Sequence, residues 1–150
     1  MIFLVAFLDL NAQTNISKRS LKDLLKIERG ESSKVWSICN SNQNTAIELY
    51  SDRNYFYQSN SCCEFTEWEF YKKGKIRETF LQVCKEPSTA KVTTEKDYYS
   101  IKIEEENGKT YLSKYHKDKL VIRFRIIEIT EISLPKQKEI KCKIIKMVKE

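Results

Sequence analysis

The chain has little glycine, proline and histidine, and each scarcity excludes a class of chemistry. Three isolated glycines, Gly30, Gly74 and Gly108, cannot supply the glycine-rich loop that cradles a phosphate, so no nucleotide cofactor is expected. His116 is the only histidine. A Ser/His/Asp or Cys/His catalytic set would have to be built on it, and nothing in the sequence places a serine or cysteine beside it, so it reads as a solvated turn residue. The five cysteines show neither CxxC spacing nor neighbouring histidines, which argues against a metal centre or a redox motif. After the N-terminus no apolar run is long enough to span a bilayer. Carboxylates such as Glu64, Glu67 and Glu69 do not suit paired-carboxylate hydrolysis, because Glu67 and Glu69 would share one face of a strand instead of facing each other across a cleft. The chain is therefore expected to be no enzyme and to carry no cofactor.

What is present is a globular composition, 41% apolar and 32% charged, with eight Tyr and seven Phe. A chain of 150 residues is one domain's worth and can bury a proper core. Residues 1–12 read as an export signal: Ile2 to Leu8 form its apolar core, Ala12 offers a small residue for cleavage, and a basic n-region would lie upstream. The other reading of Ile2 to Leu8 is a first buried strand. No cysteine follows the apolar run, so a lipid anchor is not expected. Cys39, Cys62, Cys63, Cys84 and Cys142 then point to an oxidising compartment, periplasmic or secreted, with at least one thiol left over.

Along residues 13–150, Asn15 to Arg29 is the one helical stretch, with Ser20 as N-cap, Leu21, Leu24 and Leu25 on one face and Gly30 at its end. From Lys34 the apolar period becomes two. Val35–Cys39, Thr45–Ser51 and Asn54–Ser59 are short strand-like segments. Cys63–Lys72 and Lys75–Cys84 flank Lys73-Gly74, a two-residue hairpin turn. If Lys72 faces Lys75, Cys63 faces Cys84 at a non-hydrogen-bonded pair, within disulfide range; a shifted register would bring Cys62 into competition. Asp97–Glu106 and Lys109–Lys114 flank Asn107-Gly108, the strongest short hairpin signal. Beyond Lys117-Asp118 runs a long strand, Leu120–Ile129, and Lys85–Lys96 before these is a polar loop. The basic tail from Pro135 fits a closing strand or a helix equally.

Roughly eight strands in series, with no helices between them, form an up-and-down antiparallel meander that closes into a barrel. Three pieces carry a family resemblance: Trp36 on the opening strand after a short helix, Ile47-Glu48-Leu49-Tyr50-Ser51-Asp52-Arg53-Asn54-Tyr55, and Tyr111 through Ile122. Together they resemble the small bacterial lipocalin-like, calycin-type β-barrel proteins. The resemblance implies an all-β lipocalin-like barrel with a short N-terminal helix. Lipocalins usually carry a glycine two residues before the first-strand Trp, where this chain has Lys34.

Strand alternation puts Trp68, Phe70, Tyr99, Ile101, Ile103, Leu112, Leu120, Ile122 and Phe124 on the inner wall, where they either line a pocket for a small hydrophobic ligand or fill the core. Two functions are therefore expected in order: an exported carrier of a small hydrophobic molecule, or a filled barrel that serves as a structural or protein-interaction module of the cell envelope. Nucleic acid is not the expected partner, because the basic residues behind the +6 formal charge are interleaved with Glu along the whole chain.

Overall fold

The structure is a computed structural model that describes residues 16–40, 46–134 and 137–150, with backbone alone at 134 and 137–140. The expected export segment, residues 1–12, lies outside the described residues. Ser17 caps the first helix, α1 (Lys18–Leu25), by accepting from the Ser20 amide at 3.0 Å. The helix thus starts a turn before the Ser20 cap expected from sequence, and it stops at Leu25, well short of Arg29 and Gly30. Its face of Leu21, Leu24 and Leu25 is buried in the main core, each leucine contributing roughly 2 kcal/mol by burial. The Thr110 hydroxyl donates to the Ile16 carbonyl and the Glu105 carboxylate accepts from the Lys18 amide, which fastens α1 across one end of the barrel.

The strands β1 (Lys34–Cys39), β2 (Ala46–Tyr50), β3 (Glu64–Lys72), β4 (Lys75–Gln82), β5 (Thr89–Ala90), β6 (Tyr98–Glu106), β7 (Lys109–His116), β8 (Lys119–Leu134) and β9 (Gln137–Lys149) follow α1. Eight of them form a closed antiparallel barrel in the order β1-β2-β9-β8-β7-β6-β4-β3, with β3 returning to β1; β5 adds a short strand to β4. The tail is thus a closing strand. The turns Asn107-Gly108 and Lys117-Asp118 both adopt positive φ at both positions, 51° and 72° in one and 46° and 65° in the other. That is the left-handed geometry of two-residue hairpins, which needs no strain at glycine and is tolerated by Asn and Asp.

The simple meander is broken once. β1 pairs with both β2 and β3, so β2 and β3 run in the same direction and the chain must cross back along the barrel between them. It does so through a second helix, α2 (Arg53–Ser59), where the sequence reading expected a strand over Asn54–Ser59. Aromatic residues favour strands, but Asp52 accepts from the Tyr55 amide at 2.7 Å and commits the backbone to a helix. Only Phe56 of that segment is fully buried. It packs with Tyr50, Phe65, Cys62, Cys142 and Ile144 into a second cluster on the outer face of the wall.

Two disulfides hold the crossover. Cys63 bonds Cys84, as expected, and Cys39 bonds Cys62. A bulge between Phe70 and Lys72 shifts the β3–β4 register, so that Glu64 faces Gln82 and the Cys63 carbonyl accepts from the Val83 amide. The Cys63–Cys84 bond is therefore diagonal, past the strand ends, with its Cα atoms 5.1 Å apart. Cys62 is turned the other way, toward β1. The bonds close loops of 21 and 23 residues, so replacing either pair by alanines is expected to cost about 3 kcal/mol in urea denaturation. Non-reducing peptide mapping should recover both pairs, with Cys142 as the free thiol.

Candidate functional site

Eight of the nine residues expected on the inner wall do meet in one interior cluster: Trp68, Phe70, Tyr99, Ile101, Ile103, Leu112, Ile122 and Phe124. Leu120 does not. A bulge between Lys114 and Tyr115 sets Leu120 opposite Tyr115, on the outward face, where it is 49% exposed. The cluster also takes in Trp36, Ile38, Leu49, Ile76, Ile126, Ile145 and Met147, which the sequence reading left out although strand periodicity points to several of them.

Above this apolar mass, toward the end opposite α1, the bore holds an ion pair. Lys114 from β7 pairs with Glu78 from β4, the two being 11% and 19% exposed. The Lys114 ammonium also lies 4.3 Å from the Tyr99 ring centre and 5.5 Å from that of Trp68. A cation held between a carboxylate and two aromatic faces is well compensated for leaving water. No local signal in the sequence could have paired Glu78 with Lys114, because they meet only once β4, β6 and β7 lie side by side.

Two clefts lie in the wall. The larger, about 580 Å³, opens where β2 ends and the chain turns away into α2. β9 runs on past that point with β8 as a two-stranded arm, since β7 accompanies β8 only as far as Arg125 and β2 accompanies β9 only from Ile144. One side of the cleft is the start of β1 with the loop after α1, and the other is Lys141 and Lys143 of the arm. Its floor reaches the main core at Leu24 and Trp36, and its rim carries Lys34, Arg53, Lys141 and Lys143 against Glu28 and Glu31. The smaller cleft, about 400 Å³, is a shallow groove on the outer faces of β6, β7 and β8.

No family model, curated protein or solved structure matches this chain.

The remaining polar residues are engaged structurally. Glu67 and Glu69 share the outer face of β3 as expected; Glu67 is buried and pairs with Arg53 at 2.6 Å, and Glu69 pairs with Arg77. His116 ends β7 at the Lys117-Asp118 turn, partly exposed, with its ring Nδ1 3.1 Å from the Tyr98 carbonyl and an edge contact to Tyr99. Among the described residues no three His, Cys, Asp or Glu side chains come together in a way that would hold a metal ion, and no helix is long and apolar enough to cross a membrane.

Tyr50 makes the stability depend on pH at the alkaline end. Burial, reinforced by the bond its hydroxyl donates to Glu48 at 2.6 Å, pushes its phenol up to about 12. An unfolded tyrosine ionises near pH 10. Between those values the unfolded chain gives up a proton that the folded chain keeps, so the Tyr50 contribution to stability is present below pH 10 and lost as pH rises. In a spectrophotometric titration at the phenolate band, one tyrosine is expected to ionise last; Tyr50→Phe should remove that late step.

Proposed function

We propose that this protein is an exported, non-enzymatic binding module whose closed barrel is a solid scaffold and whose recognition surface is the cleft in its wall. The observation that carries the reading is the Glu78–Lys114 pair wedged against Trp68 and Tyr99 over a contiguous apolar cluster. A hydrophobic ligand entering the bore from that end would have to displace a largely desolvated charge pair from its aromatic partners. Of the two functions expected from sequence, the interaction module is thus the better supported and the carrier of a small hydrophobic molecule the weaker.

Two disulfides suit an oxidising, extracytoplasmic setting, periplasmic or secreted. The non-enzymatic part is supported by the engagement of the reactive side chains: four cysteines are bridged, Cys142 is buried, and His116 is tied to Tyr98. The test is a titration of the isotope-labelled full chain with laurate, an apolar probe of the size a bore would take. Amide resonances of Leu112, Phe124 and Met147 are expected to stay in place. Saturable shifts at those three positions would restore the carrier reading and overturn this one.

A further inference from the structure

We propose that the wall cleft takes an extended acidic peptide segment of a partner protein, added as a strand in line with β2 between β1 and β9. The proposal deepens the surface-recognition reading above and rests on it.

Main-chain direction carries the argument. The Lys143 amide donates to the Ser51 hydroxyl at 2.8 Å and its carbonyl accepts from the Ser51 amide at 2.9 Å, so both main-chain groups of Lys143 point toward the β2 side. In a strand these directions repeat every second residue. Lys141 therefore points its N–H and C=O the same way, beyond the end of β2. On the other side of Lys143, Ile145 points toward β2 and faces Leu49, which leaves Tyr50 directed toward β1 and facing Ser37. Two residues before Ser37, Val35 must then turn its N–H and C=O into the same gap. Val35 and Lys141 both line the cleft. Two edge donor–acceptor sets thus face each other across the gap that β2 itself spans a residue or two further along.

Main-chain polar groups are obligatory hydrogen-bonding groups, and an added strand pairs both edges at once. The floor offers a further donor: Trp36 is fully buried, lines the cleft, and its indole Nε1–H has no hydrogen-bond partner among the described residues. The rim decides the partner's charge. Of the four cations there, Lys34 is paired with Glu28 of the rim, and Arg53 and Lys141 with carboxylates that do not line the cleft, Glu67 and Glu131, whereas Lys143 makes no ion pair among the described residues. With the other three cations neutralised, the unpaired Lys143 favours a carboxylate beside it on the incoming strand. A nucleic acid has no amide edge to offer, and a second copy of this chain, formally +6, brings the wrong charge.

The experiment uses the full chain, isotope-labelled, with the capped peptide acetyl-(Val-Glu)4-amide as probe. The Val35 and Lys141 amides and the Trp36 indole N–H are expected to shift together and saturably. The same peptide N-methylated at alternate residues should bind roughly tenfold more weakly, because it has lost donors to one edge. Lys143→Gln, which puts no second carboxylate opposite Glu131, should weaken binding severalfold without moving the thermal midpoint. Three results would overturn the proposal: silence at Val35 and Lys141 at millimolar peptide, equal binding of the N-methylated peptide, or shifts at those amides that follow protein concentration alone and so mark a second copy as occupant. Peptide failure with laurate also silent removes strand addition alone; laurate shifts in the bore remove the surface reading itself.

Discussion

Replacing Lys114 by methionine is expected to lower the stability of the barrel by about 3 kcal/mol, among the largest losses available from a single substitution at a polar position. The variant keeps a side chain of similar length but leaves the Glu78 carboxylate beneath the barrel mouth without its cation, against Trp68 and Tyr99. An uncompensated charge removed from water costs far more than the pair gains over an apolar replacement. The double variant Glu78→Leu with Lys114→Met should accordingly recover most of the loss, since no buried charge remains. Urea denaturation of the wild type, both single variants and the double variant measures the coupling. A loss below about 1 kcal/mol in Lys114→Met would mean that the pair behaves as a solvated surface pair and that the mouth of the bore is wet.

Phe56→Ala should have the other large effect, about 3–5 kcal/mol, because it empties the centre of the outer cluster that fastens α2 to the wall. The Phe56 ring lies 5.4 Å from the rings of both Tyr50 and Phe65, and no other residue of α2 is fully buried. The Cys39–Cys62 bond still tethers the chain beyond α2, so the expected result is a loosened helix on an intact barrel. Cys142 reports on it. Burial pushes this thiol up from its ordinary value, and it is covered by the same cluster. Since the thiolate is the reactive form, the wild-type protein should resist iodoacetamide at neutral pH until it is denatured. Phe56→Ala should be alkylated at Cys142 under native conditions, as read by mass spectrometry. A destabilised variant whose Cys142 stays unreactive would show that α2 is not what shields it.

Both predictions turn on contacts that no local stretch of sequence announces. Glu78 and Lys114 are on strands that meet through a third, and Phe56 stands in a run of aromatics that reads as strand until its Asp52 cap is weighed. The α2 signal lies in Asp52, a good N-cap residue, but the aromatics that follow it are strong strand formers and outweigh it in the sequence. The Cys63–Cys84 pairing was read correctly, although the register that suggested it is altered by a bulge. Its neighbour's bond to Cys39 had no sequence signal, since that bond depends on β1 lying beside β3.

By itself the sequence determined the parts whose causes lie within a few residues: the left-handed turns at Asn107-Gly108 and Lys117-Asp118, the two-residue alternation of β6, β7 and β8, and the apolar face of α1. Tertiary structure alone decided that β9 pairs with β2, that β2 stops where β1 and β9 continue, and that Glu78 and Lys114 meet beside Trp68 and Tyr99. The physical reason is range. Turn and strand preferences act through neighbouring dihedral angles, whereas closure, bulges and cross-strand charge pairs are set by which distant strands the packed core brings side by side.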